Sequence, residues 1–261
     1  MNRQHAGLKK FYSIFILLFL YAPILTLMAL SFNASKSRSH WGGFTFDWYI
    51  SLFEDERIMQ AFTNTILIAI ASALIATVFG TFACVGMHVM KRRTRTAIMG
   101  MTNIPMLNAD IVTGISLMLL FIACRINMGG ATVLLAHITF NIPYVILSVM
   151  PKFRQINYST YEAALDLGAT PTYAFTRIIF PDILPGVFSG FLMAFTMSLD
   201  DFIITHFTKG AGFDTLSTKI YSEVKKGVSP EIYALSTIMF TVVLLLLVIV
   251  QAKPQMNRSK K

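Results

Sequence analysis

The stretch EAALDLGATPTYAFTRIIFPDILP, residues 162–185, has mixed polarity and lies between two long apolar segments. It predicts two short helices around a glycine hinge. The first helix ends at Gly168, the residue type favoured just past a helix end because it tolerates positive φ. The second begins at Thr170-Pro171, an N-cap residue followed by proline at the first helical position, and ends at Pro181. A loop of this kind, projecting from a membrane protein, predicts a surface on which another protein docks.

The composition places the chain in a membrane. Of its 261 residues 55% are hydrophobic and only 13% are charged, and the mean hydropathy is +0.62. A soluble domain carries about 25% charged residues. Cys84 and Cys124 both lie in apolar segments, which disfavours a disulfide framework. The net charge of +9 does not indicate nucleic-acid binding, because the basic residues sit at loop ends rather than in a stripe with interleaved aromatics.

Six apolar segments are long enough to cross a hydrocarbon core of about 30 Å, which takes about 20 residues. Basic residues before the first segment would suit a signal peptide, but its apolar run is too long, so we expect a retained span. The chain is therefore expected to be an all-α integral membrane protein with six transmembrane helices. The predicted spans are Phe11–Phe32, Phe62–Met90, Ala97–Cys124, Ala131–Met150, Leu184–Thr208 and Ile232–Ala252.

The distribution of Lys and Arg predicts that both termini are cytoplasmic, because cytoplasmic loops carry the excess of basic residues. The same rule places residues 162–185 in the cytoplasm. In this orientation the cytoplasmic segments hold 14 of the 22 basic residues: Arg3, Lys9, Lys10, Lys91, Arg92, Arg93, Arg95, Lys152, Arg154, Arg177, Lys253, Arg258, Lys260 and Lys261.

Small residues at four-residue spacing predict close packing of the second and fifth spans. They are Ala69/Ala73 and Ala76/Gly80 in the second span, and Gly186, Gly190 and Ala194 in the fifth.

Three carboxylates, Asp110, Asp200 and Asp201, lie inside predicted spans. An ionisable group there costs at least about 2.5–3.5 kcal/mol, so it faces a partner or a wet pathway. Two interpretations stay open: the aspartates are buried and paired, or they line a pathway for a cationic cargo. Asp110 is expected near the middle of its span, on one polar face with Asn103 and Thr113.

Asp200 and Asp201 are adjacent, so on an unbroken helix they point about 100° apart. Asp201 shares a polar face with Ser198, Thr205 and Thr208, whereas the neighbours of Asp200 are mostly apolar. This favours Asp201 as the pathway residue and leaves Asp200 to bond a neighbouring helix.

The sequence offers no catalytic or metal-binding pattern. It has no Gly-x-x-x-x-Gly-Lys-Ser/Thr phosphate loop, no Gly-x-Ser-x-Gly elbow and no His-x-x-x-His pair. We therefore expect neither an enzyme, nor a resident metal, nor a cofactor bound by this chain.

The spacing in residues 162–181 resembles the EAA signature of type I ABC importer permeases, which reads Glu-Ala-Ala-x3-Gly-x9-Ile-x-Leu-Pro. Phe180 stands where leucine is usual and keeps that position apolar. Six positions match the signature: Glu162, Ala163, Ala164, Gly168, Ile178 and Pro181. We call residues 162–181 the EAA loop.

Four further stretches resemble the polyamine branch of this family, and within it the C-type permease subunits of spermidine/putrescine importers. They are MLNADIVTGISLMLLF (106–121), AHITFNIPYVILSV (136–149), SLDDFIITHF (198–207) and KIYSEVKKGVSPEIYALSTI (219–238).

The resemblance implies that ATP hydrolysis and membrane translocation are carried out by different subunits. The six EAA-loop positions would dock on a dimer of a separate ATPase, which uses ATP and Mg²⁺. The other implied partners of this chain are a homologous B-type permease subunit and an extracytoplasmic polyamine-binding protein. The resemblance also implies that the chain lies in the inner membrane of a bacterium. Glu162 would contact the ATPase or cap the helix array. Tyr221 and Glu223, before the last span, are candidates for contact with the binding protein or for the cargo entrance.

The implied organisation is an N-terminal span and outer loop (1–60), a permease core (61–252) whose coupling loop is 152–183, and a basic cytoplasmic tail (253–261). Three alternatives remain at this point: the same machine for iron, thiamine or an anion; an autonomous channel or ion-coupled carrier; and a membrane sensor or scaffold that recruits a cytosolic protein.

Overall fold

A computed structural model of the chain describes residues 4–36, 39–226 and 230–256. Arg3, the segment 227–229 and the basic residues beyond Met256 lie outside them. Within these ranges the chain forms twelve α-helices and a single isolated β-bridge. The helices are α1 (Gln4–Leu30), α2 (Asp47–Glu54), α3 (Glu56–Val89), α4 (Arg92–Leu107), α5 (Asp110–Ala123), α6 (Gly130–Phe153), α7 (Tyr158–Asp166), α8 (Pro171–Ala174), α9 (Phe180–Asp200), α10 (Ile203–Thr208), α11 (Leu216–Lys226) and α12 (Pro230–Met256).

The chain divides into two compact units, one of residues 1–59 and 220–261 and the other of residues 60–219. In the first unit α1 and α2 both pack on α12. Ser51 on α2 donates a hydrogen bond of 2.9 Å to Glu231 at the start of α12. Aromatic rings cluster between α1 and α2, where Phe32 stacks on Phe44 with ring centroids 5.1 Å apart. The outer loop predicted within residues 1–60 thus contains a helix of its own, α2.

The second unit is built around α6, which packs most extensively on α9. Val145 on α6 lies between two glycines. A Cβ at Gly80 of α3 would come within 2.7 Å of the Val145 side chain, and a Cβ at Gly190 of α9 within 3.2 Å. The small-residue prediction for these helices is confirmed, because side chains at either position would push the backbones apart.

We expect Gly80→Ala to destabilise the protein, because a methyl group forced against Val145 overpacks a filled core at a cost of about 1–3 kcal/mol. The thermal unfolding midpoint of the purified protein measures this. Gly86→Ala, on the same helix with open space around its Cβ, is the matched control. Adding Val145→Ala should recover part of the loss at Gly80; an unchanged midpoint in Gly80→Ala would contradict the packing.

Within the described residues, four helical stretches are long and apolar enough to cross a membrane: Phe11–Leu30, Glu56–Val89, Gly130–Phe153 and Pro171–Asp200. A fifth is obtained if α4 and α5, which meet at a bend of 103°, form one broken span. The sixth predicted span lies within α12, whose apolar stretch is described as Pro230–Leu245.

The prediction of one continuous helix over Ala97–Cys124 is wrong, because the chain breaks at Asn108 and Ala109, both with extended backbone. Pro105 in the last turn of α4 removes a helical hydrogen bond and weakens the helix there. Asp110 therefore lies in the first turn of α5 rather than in mid-span. Asn103 on α4 therefore does not share one helix face with Asp110 and Thr113 on α5.

The predicted span Leu184–Thr208 is also broken. Helix α9 ends at Asp200, Asp201 has extended backbone (φ −65°, ψ 125°), and α10 begins at Ile203. The physical reason is local, because the Asp201 carboxylate accepts hydrogen bonds from the backbone N–H groups of Ile204 and Thr205 and so starts a new helix.

Candidate functional site

The first half of the EAA loop is a helix with both ends capped. Asn157 begins α7 by accepting a hydrogen bond of 3.2 Å from the backbone N–H of Ser159. At the other end Gly168 has φ +90°. Its N–H donates to the carbonyl of Leu165 (2.9 Å), and the N–H of Ala169 donates to the carbonyl of Ala164 (3.0 Å). This is a Schellman ending, and it confirms the predicted glycine hinge.

The second half of the loop begins as predicted, with the Thr170 side chain accepting from the backbone N–H of Tyr173 (3.3 Å) and Pro171 in the first turn. It does not end at Pro181, so that prediction is wrong. A π-helical turn over Phe175–Ile179 leads directly into α9, with the N–H of Phe180 bonded to the carbonyl of Phe175. Pro181 then stands in the first turn of α9, where its missing N–H is tolerated.

Most of the EAA positions lie on the surface. Glu162, Ala163, Gly168 and Pro181 are exposed, and Ala164 and Ile178 are half-buried. The inner side of the loop packs on the rest of the protein. Tyr161 and Phe175 contact the main core cluster, and Ile179 is a buried member of that cluster. The two short helices are therefore fixed to the core and present their outer side to solvent.

The outer side of the loop includes large apolar groups that the sequence reasoning missed. Leu167 is 89% exposed and Tyr173 is 58% exposed. Leu167 directly precedes the hinge glycine. Asn157 is the N-cap of α7, and Glu162 lies within that helix.

A second polar region lies at the break between α9 and α10. The imidazole of His137 on α6, 1% exposed, bridges the two sides of this break. Its Nδ1 lies 2.5 Å from the Ser198 hydroxyl, and its Nε2 lies 2.9 Å from the Thr205 hydroxyl and 3.3 Å from an Asp201 oxygen. Asp201 has a side chain 8% exposed and also accepts a bond of 2.8 Å from the Thr205 hydroxyl.

Sequence reasoning predicted that Ser198, Asp201 and Thr205 come together, and they do, although through the break rather than along one helix face. It missed His137. The only local signal was a histidine four residues before Asn141 in an apolar span, and its partners are more than 60 residues away along the chain.

The other two aspartates are exposed. Asp200 lies at the end of α9 and Asp110 at the start of α5. Helix α5 packs closely on α10, because a Cβ at Gly114 would come within 3.4 Å of the Ile204 Cα. Both breaks therefore belong to one packed group of helices, and each presents one exposed carboxylate.

The candidates before the last span lie on α11. Tyr221 is 39% exposed and its ring lies 4.5 Å from the ammonium group of Lys225. Glu223 is half-buried and forms an ion pair of 3.1 Å with Lys226. Both residues already engage neighbouring lysines on their own helix.

Comparison with known proteins identifies the group to which the chain belongs. Residues 76–253 match the family model described as "Binding-protein-dependent transport system inner membrane component". The chain belongs to this family. It is thus a transport permease subunit and a multi-pass membrane protein of a binding-protein-dependent system.

Relatives in the family align over most of the chain. The spermidine/putrescine transport system permease protein PotC of Haemophilus influenzae is 38% identical over 92% of this chain and 93% of its own. The putrescine transport system permease protein PotI of Escherichia coli is 40% identical over 84% of this chain and 81% of its own.

Solved structures agree on the fold. A chain of a bacterial ABC transporter involved in import of the acidic polysaccharide alginate matches with a TM-score of 0.71 at 20% identity, covering 96% of the permease and 93% of that chain. An amino acid ABC transporter chain matches with a TM-score of 0.59 at 15% identity, covering 82% and 99%. These similarities bear on architecture alone.

Proposed function

We propose that this chain is the membrane-spanning subunit of an ATP-driven importer of polyamines such as spermidine and putrescine. In this proposal it crosses the cytoplasmic membrane six times with both termini inside, so that the EAA loop is cytoplasmic. It binds no cofactor of its own, and ATP is hydrolysed with Mg²⁺ by a dimer of a separate ATPase. Its other partners are a homologous B-type permease and an extracytoplasmic polyamine-binding protein.

The observation that carries the coupling role is the capped, exposed EAA loop. Three signature positions lie on α7, Gly168 forms the hinge, and the last two lie in the π-helical turn and at the start of α9. Apolar Leu167 and Tyr173 are exposed beside the hinge and on α8. An exposed apolar patch of this kind on a rigid base is suited to a protein partner. Because the chain itself carries no phosphate loop, the energy of transport has to arrive through such a contact.

Two observations support a polyamine as the cargo. The relatives with 38% and 40% identity are named for spermidine/putrescine and putrescine transport. Asp110 and Asp200 offer exposed carboxylates at neighbouring helix breaks, and carboxylates offset the desolvation of ammonium groups. We assign contact with the cargo to these two residues, and we assign the buried Asp201 to holding the break. The charge of this site disfavours an anionic cargo.

Uptake of radiolabelled putrescine and spermidine by cells with and without the gene tests this function. We expect deletion to abolish the high-affinity component of uptake, and a plasmid copy to restore it. Unchanged polyamine uptake with loss of iron or thiamine uptake would instead support the same machine with another cargo. Uptake that persists when the partner ATPase is deleted would support an autonomous carrier.

A further inference from the structure

We propose that His137 is a positioning residue that fixes the break between α9 and α10 and thereby the direction in which Asp200 is presented to the cargo. The statement about cargo rests on the proposed function; the statement about the break does not. The His137 ring is 1% exposed and so does not reach the surface.

The two ring nitrogens of His137 contact opposite sides of the break. Nδ1 is bonded to Ser198, three residues before the break, and Nε2 contacts Asp201 and Thr205, at and after the break. A single buried side chain on α6 therefore holds both helix ends. Backbone bonds within one helix cannot do this, because the helical ladder is interrupted at Asp201 and Phe202.

The donor and acceptor of each hydrogen bond that His137 makes follow from the Thr205–Asp201 bond. The Thr205 hydroxyl donates to Asp201, so it accepts from Nε2–H of His137. Nδ1 is then the acceptor for the Ser198 hydroxyl. Ser72 on α3 lies 3.1 Å from Ser198 and accepts from the amide of Asn141 on α6 at 3.4 Å, while its own hydroxyl donates to the Ala69 carbonyl at 3.3 Å.

Three side chains thus point their donors one way, towards the Asp201 carboxylate, in a core where such bonds reinforce one another. The order of donation is Ser198, His137, Thr205 and then the acceptor Asp201. Removing the imidazole would split this chain in the middle and leave a buried carboxylate with fewer partners. The break would then lose its fixed geometry, and Asp200, next to Asp201, would turn with it.

The test measures Asp200 directly in the co-purified transport complex. Asp200→Cys is placed in a Cys124→Ser background, which removes the exposed cysteine and leaves Cys84 buried. The rate of reaction with a water-soluble maleimide is compared with and without changes at His137. Asn127→Cys, on an exposed loop, is the matched control for overall integrity.

Asn carries a polar group where His has Nδ1, and Gln carries one where His has Nε2. We therefore expect His137→Asn to change the labelling rate of Asp200→Cys at least about threefold, with His137→Gln nearer to the native rate, because thiol reactivity follows exposure and local charge. Thr205→Val keeps the imidazole and removes the hydroxyl that His137 and Asp201 share, but it leaves Nε2 3.3 Å from Asp201. It should therefore shift the labelling rate in the same direction as His137→Asn, and by less. The control position should react at its native rate throughout.

Transport kinetics supply the second readout. A positioning role raises the KM for polyamine while the maximal rate is largely kept, and His137→Gln rescues part of the KM. If the His137→Asn complex is too unstable to purify, labelling and KM are measured in the Thr205→Val complex instead. Unchanged labelling and unchanged KM in folded Thr205→Val or His137→Asn complexes would overturn the inference. A shift in labelling, combined with a native complex that moves no polyamine, would overturn the proposed cargo and leave the role of His137 standing.

Discussion

Glu162→Lys and Gly168→Asp are each expected to reduce transport by more than about tenfold while the protein still inserts and folds. Glu162 is exposed on α7, so reversing its charge alters the docking surface without disturbing the core. Gly168 has φ +90°, and a Cβ added to it would have no neighbour within 4 Å, so the cost of a side chain there is backbone strain. That strain, roughly 1–2 kcal/mol, acts on the turn that sets the angle between the two short helices.

The measurements are uptake and stimulated ATP hydrolysis in the assembled complex, with the amount of membrane-inserted chain as reference. Gly43→Ala is the matched control for strain, because Gly43 also has positive φ (+111°) and open space around it, but lies in the other unit. Glu54→Lys, at an exposed position on α2, controls for the change in charge. Normal coupling in the Glu162 and Gly168 variants would remove the EAA loop from the mechanism.

Asp110→Asn and Asp200→Asn are expected to raise the KM for polyamine with little change in the amount of folded protein. The loss of one charge-assisted contact is worth about 1.5–3 kcal/mol, which corresponds to roughly 10- to 150-fold in apparent affinity. Asp110→Glu and Asp200→Glu keep the charge and should recover much of it. Initial rates of uptake over a range of polyamine concentrations separate KM from the maximal rate.

Asp201→Asn provides the contrast. This carboxylate accepts hydrogen bonds from Ile204 and Thr205 and pairs with His137, so its replacement disturbs a buried pair, at a cost of up to about 3–5 kcal/mol. We expect a lower unfolding midpoint and less folded protein. If instead Asp201→Asn folded normally and lost affinity while Asp200→Asn did neither, the assignment of the two aspartates would have to be exchanged.

The EAA loop was the part most readable from sequence, because its determinants are local. A glycine past a helix end, and threonine followed by proline at a helix start, act through bonds within a few residues, and both are found where expected. The end of the second helix was misjudged at Pro181, since a proline stops a helix only when it falls inside a turn that needs its N–H. Here a π-helical turn precedes it.

The helix breaks could not be read in the same way. Apolar composition predicts a membrane span but not whether its helix is continuous. It therefore does not reveal the interruptions at Asn108 and Asp201. The preference for Asp201 over Asp200 as the pathway residue relied on an unbroken helix. With the break present, Asp200 is exposed and the Asp201 side chain is turned into the protein. His137 lay beyond local reasoning altogether, because its role depends on partners from α9 and α10.

The central claim is that this chain converts ATP hydrolysis by a partner into movement of polyamine. The direct measurement is ATPase activity of the complex reconstituted in lipid vesicles with the binding protein, with and without spermidine or putrescine. We predict that polyamine and binding protein together stimulate hydrolysis several-fold, and that the stimulation disappears in Glu162→Lys. Polyamine flux through vesicles that contain this chain alone, without ATP, would contradict the account.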